Sequence, residues 1–79
     1  MANRRMFSLD IVDTDKFLEM PASTQALYFH LGMYADDHGI VEAYPVMRLT
    51  VAAEDDFKIL ISKGFASEIT NDLVALRLT

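Results

Sequence analysis

Apolar residues recur along the chain in short runs whose spacing predicts more helix than strand. Met6, Phe7, Leu9, Ile11 and Val12 mix with polar neighbours at the start, predicting a short strand or extended arm over residues 1–12. Asp13 and Thr14 are candidate N-caps for a short helix carried by Phe17, Leu18 and Met20. Pro21 breaks that helix and opens the next, because a first turn needs no amide partner at its proline. From Ala22 to about Ala35, Leu27, Leu31 and Tyr34 share a helical face, and Ala26, Phe29 and Met33 widen it. Such breadth predicts a central helix packed from more than one side. Gly32 within it either weakens the helix by about 1 kcal/mol relative to alanine or permits a close approach.

Asp36-Asp37-His38-Gly39 ends that helix, with Gly39 suited to positive φ, and Ile40-Val41 reads as a short strand. Pro45 is expected to open a small helix through Val46, Met47 and Leu49, with a turn over Thr50 to Ala53. The next helix runs from Glu54 to Lys63 on an apolar stripe of Phe57, Leu60 and Ile61, and Gly64 caps its end. Glu54, Asp55 and Asp56 occupy its first turn, where carboxylates favour the helix dipole. Phe65 to Ile69 and Leu73 to Leu78 read as two strands around a Thr70-Asn71-Asp72 turn; Val74, Leu76 and Leu78 alternate with Ala75 and Arg77. The expected fold is α+β, mainly α. It is a single winged helix-turn-helix over residues 1–79, with an arm or strand (1–12), helices (13–35), a helix-turn-helix (45–63) and a β-hairpin wing (65–79).

A length of 79 residues allows one small domain. Cysteine is absent, which removes disulfides, thiolate nucleophiles and cysteine-based metal sites. Seven Lys and Arg against twelve Asp and Glu give a net charge of −5, which argues against a sponge-like nucleic-acid binder but leaves room for a basic patch. No apolar run reaches membrane-spanning length, so a soluble, cytoplasmic chain is expected. His30 and His38 have no metal-ligand spacing, and the acidic pairs Asp13/Asp15 and Asp36/Asp37 read as caps and turns. The serines lack a nucleophile-elbow setting, and the three glycines are isolated from one another. The expectation is a non-enzyme without cofactor or metal.

Met6-Phe7-Ser8, Asp10-Ile11-Val12-Asp13, Asp15 with Phe17-Leu18, Met20-Pro21, Gln25 through Leu31, Ala35-Asp36-Asp37 and Gly39 resemble the opening of phage replisome organiser proteins. These are related to the N-terminal winged-helix domain of DnaD-type primosomal initiators. Asp55-Asp56, the helix through Lys58-Ile59-Leu60-Ile61 and the Lys63-Gly64-Phe65 exit extend the resemblance over essentially the whole chain. The resemblance implies a replication module that acts in the cytoplasm of a phage host, binds duplex DNA or takes part in oligomeric assembly. Two positions depart from the pattern. Tyr44, Val46 and Met47 stand where similar proteins often carry lysines, leaving Arg48 alone, and Ala53 stands where a serine cap is common.

The candidate DNA contacts are Arg4, Arg5, Arg48, Lys58, Lys63 and Arg77, which would form a phosphate-contacting rim. The alternative is a protein-interaction module on the same scaffold with weak or no DNA binding, for oligomerisation or as a small phage modulator of a host protein, its partner a second copy or a host or phage replication protein. Its candidate patch is Tyr28, Tyr44 and Met47. The acidic entrance of the Glu54 helix favours this second reading.

Overall fold

The computed structural model describes residues 6–78. Arg4 and Arg5 lie outside the described residues. The chain begins with two single-turn helices, α1 (Leu9–Val12) and α2 (Asp15–Leu18). Residues 9–12 are therefore helical, not part of the expected strand or extended arm. The Ser8 side chain starts α1 by accepting from the Asp10 amide, a local signal that outweighs the propensity of Ile11 and Val12. Thr14 caps α2 in the same way through the Phe17 amide, and Gln25 donates to the carbonyls of Leu18 and Met20 where α2 ends.

Helix α3 (Ala22–Tyr34) is central, as its broad apolar surface predicts. Thr24, Leu27, Tyr28, Leu31 and Gly32 are buried along it, and helices α4 (Ala43–Thr50) and α5 (Glu54–Ser62) pack against it. A Cβ at Gly32 would run into the Phe7 ring, so the glycine provides close approach for an aromatic side chain. Phe7 in turn lies edge-on to Phe29 at 5.0 Å, and Phe17 makes edge-to-face contacts with Tyr28 and Phe65 at 5.1 and 5.4 Å. Aromatic pairs of this geometry contribute about 0.5–1.5 kcal/mol each beyond area burial, which helps a chain too short for a large aliphatic core.

Strands β1 (Ile40–Glu42), β2 (Ala66–Glu68) and β3 (Leu73–Leu76) form an antiparallel sheet in the order β1-β3-β2. Val41 pairs with Val74, and Ala66 with Leu76. β2 is one residue shorter than expected at each end, and β3 starts at Leu73 as expected but stops at Leu76. Alternation along β3 holds, with Val74 and Leu76 buried. The whole is an α+β domain, mainly helical, with a small antiparallel sheet. No described helix is long and apolar enough to cross a membrane.

The start of α4 is held by a distant residue, and its end and that of α5 are closed locally. Helix α4 begins at Ala43, two residues before Pro45, because the Ala43 amide donates to the Asp72 carbonyl and the Tyr44 amide to the Asp72 carboxylate. The turn of the hairpin thus caps α4. Pro45 falls inside the first turn, where its missing N–H has no intrahelical duty. At the other end of α4, Val51 takes the left-handed conformation (φ 55°) normally given to glycine, and the Ala52 amide closes back to the Met47 carbonyl. A three-residue turn, Val51 to Ala53, then leads into α5. Helix α5 ends before Gly64, which has positive φ as expected.

Tyr28 is wholly buried, and its hydroxyl donates to the Arg77 carbonyl after β3. Burial pushes the phenol above its ordinary value of 10.0, against the opposing pull of the Arg77 cation. The folded domain thus holds this proton to higher pH than the unfolded chain does. The stability tied to it is intact below pH 10 and is lost as pH rises through the folded value. Thermal melts between about pH 9 and 12 should show that loss, and Tyr28→Phe should remove its tyrosine-dependent part. Identical pH profiles for the two proteins would contradict it.

Candidate functional site

The surface that could meet a partner is built from α4, α5 and the β2–β3 hairpin. On α4, Tyr44, Pro45, Arg48 and Leu49 face outward while Ala43, Val46 and Met47 enter the core. On α5, Phe57 and Leu60 are buried, and Glu54, Asp55, Lys58 and Ser62 are exposed.

Asp56, the third acid of the α5 entrance, is turned inward and only 8% exposed. Its Oδ1 accepts from Thr24 Oγ1 at 2.7 Å and Ser23 Oγ at 2.9 Å, both in the first turn of α3. Neither α3 nor α5 has a side-chain cap of its own, Pro21 and Ala53 standing at those positions. One carboxylate therefore serves the positive ends of two helices. Only Glu54 and Asp55 remain to define the outward charge of the α5 entrance.

Of the six candidate DNA-contacting cations, Arg4 and Arg5 lie outside the described residues. Arg48 and Lys58 are exposed on α4 and α5. Lys63 is half-buried at the end of α5, and Arg77 is exposed just after β3. Lys63 precedes Phe65 by two residues in the chain, and the Arg77 amide donates to the Phe65 carbonyl at 2.9 Å, so the backbones of the last two lie near Phe65. The cation whose side chain meets this residue is a different one. The Nζ of Lys16, on α2, lies over the Phe65 ring at 5.6 Å from its centre. Sequence reasoning missed Lys16 because 49 positions separate it from Phe65 and neither sits in a motif.

The expected apolar patch of Tyr28, Tyr44 and Met47 does not form. Tyr28 is 0% exposed and Met47 5% exposed, both in the core, and only Tyr44, at 44%, reaches the surface. Tyr28 points toward the α2, α3 and hairpin layer, where its hydroxyl has a carbonyl partner. Met47 sits three residues from Tyr44 on α4 and is buried in the core. Tyr44 instead borders a different feature, a groove of about 250 Å³ along α5. Its apolar lining is Tyr44, Phe57 and Ile61, the two rings 6.3 Å apart, and its charged lining is Glu54, Lys58 and Glu68.

Both histidines are exposed, and His38 donates its backbone amide to the Asp36 carboxylate in the turn before β1. Among the described residues no group of three His, Asp or Glu side chains is placed to hold a metal ion. Compared with protein-family models, curated proteins and solved structures, the chain finds no match in any of the three.

Proposed function

We propose that the chain is a winged helix-turn-helix module of a phage replication initiator or replisome organiser, which holds duplex DNA without catalysis. The observation that carries this reading is the arrangement of α4, a three-residue turn and α5, followed by a hairpin whose second strand also pairs with β1. In it α4–α5 is the helix-turn-helix and β2–β3 the wing, in keeping with the collinear resemblance noted above.

The charges then select the contacting side. Glu54 and Asp55 at the start of α5 repel phosphate, so this helix does not enter a groove by its N-terminus as such helices commonly do. Lys16, whose Nζ lies over the Phe65 ring, and Lys63 and Arg77, whose backbones lie near that residue, supply the phosphate contacts. Arg48 and Lys58 add to them on the helix-turn-helix.

Fluorescence polarisation with a labelled duplex at low and near-physiological salt tests this. Five phosphate contacts predict binding that falls with a log–log salt slope of about −4.5. The triple variant Lys16→Ala/Lys63→Ala/Arg77→Ala is expected to lose binding while still folding, by circular dichroism. No binding at about 20 mM salt would refute autonomous DNA contact. A protein-interaction role draws on a separate observation, the apolar groove beside Tyr44, and uses mostly different residues.

A further inference from the structure

We propose that the groove between α4 and α5 receives a segment of a partner protein that presents an arginine beside a large apolar side chain. This deepens the protein-interaction role and does not depend on DNA binding. The groove has an apolar floor, with Phe57 and Ile61 one helical turn apart on α5 and the Tyr44 ring tilted 51° against Phe57 from α4. Its rim is acidic from two elements: Glu54 from the start of α5 and Glu68 from β2. One cation, Lys58, shares the lining and stands one turn from Glu54 on the same helix face. Glu68 is left as the carboxylate with no cation on its own strand.

That chemistry chooses among occupants. Two carboxylates against one ammonium disfavour a phosphate or an acidic peptide. The apolar floor gives a small hydrated cation nothing to bind. A second copy of this chain carries the same net charge of −5 and is repelled over the range of the Debye length. An arginine satisfies both features at once, because its planar guanidinium stacks on the exposed Tyr44 ring and can meet a carboxylate with two parallel hydrogen bonds. A volume of about 250 Å³ holds one or two side chains, which fits an arginine and an apolar neighbour rather than a whole helix.

The test uses the 79-residue chain with isotope-labelled amides and a short synthetic peptide carrying leucine and arginine one helical turn apart. Chemical-shift changes are expected at Tyr44, Phe57, Ile61 and Glu68. The double variant Glu54→Gln/Glu68→Gln is expected to weaken the peptide roughly fivefold, the scale of two exposed ion pairs. Lys58→Ala is expected to tighten it, the opposite of its expected effect on duplex DNA. A counterpart peptide with glutamate for arginine should not bind. Shifts spread over the acidic surface, or equal affinity in the double variant, would overturn the proposal. So would groove shifts that appear on concentrating the chain alone, which would make the groove a self-contact. None of these outcomes involves DNA, so the two readings fail separately.

Discussion

Asp56→Ala is expected to destabilise the domain by about 2–4 kcal/mol, the larger part arising at Thr24 rather than at Asp56 itself. Thr24 is fully buried, and its hydroxyl donates to the Asp56 carboxylate at 2.7 Å. Without that acceptor a hydroxyl stays desolvated with its proton uncompensated, and hydrogen bonds to charged groups are worth about 1.5–3 kcal/mol. Ser23 is exposed and can turn to water, so its share is small. The remainder comes from the two helix starts that lose a nearby negative charge. A 79-residue domain has on the order of 4–12 kcal/mol of total stability, so this one change removes a large fraction of it. Urea unfolding followed by circular dichroism measures the loss. The double variant Thr24→Val/Asp56→Ala removes both partners and is expected to be less destabilised than the sum of the single variants. Strict additivity would mean that the two groups do not act as a pair.

Gly39→Ala is expected to be about as damaging, at roughly 2–4 kcal/mol, for reasons of backbone geometry. Gly39 has φ of 78°, a conformation that costs other residues about 1–2 kcal/mol. A Cβ there would also sit 2.8 Å from the Leu76 carbonyl oxygen. That oxygen belongs to the backbone of β3 and cannot be moved by a change of rotamer. The Gly39 carbonyl already accepts the Leu76 amide at 2.8 Å, so the two segments are locked at close range. The variant should show a lower unfolding midpoint and faster hydrogen exchange at the Leu76 amide. Unchanged exchange at Leu76 would mean that the overlap is relieved elsewhere.

What the sequence disclosed follows from the range of each interaction. Local signals read correctly: Thr14 and Gly64 bound their helices, and β3 alternates as its residues suggest. Signals that depend on a distant partner did not. The first turn of α5 reads as a cluster of three dipole-stabilising acids, yet Asp56 is bound to hydroxyls 32 and 33 residues away. Pro45 reads as the first residue of α4, yet Asp72, 28 residues beyond Tyr44, moves the start back to Ala43. Tyr28 and Met47 read as surplus apolar groups because a helix apolar on several faces does not reveal which face is covered. Residues 9–12 failed for another reason: four mixed residues carry too little period to separate a helical turn from a strand. Of the candidate site, the cations Lys63 and Arg77 were legible as single residues. The placing of Lys16 over the Phe65 ring and the groove beside Tyr44 arise only once the helices and hairpin are packed.

The position of β3 between β1 and β2 bears on how the domain matures during synthesis. β1 and β2 leave the ribosome first but do not pair with each other, and among the described residues each has its strand partner in Leu73–Leu76. Until those four residues emerge, two strands offer unsatisfied edges, and until Arg77 follows them the Tyr28 hydroxyl lacks its carbonyl. A nascent chain arrested before Leu73 therefore presents an unfinished surface to any chaperone or protease nearby, and completion of the sheet is a late event set by translation.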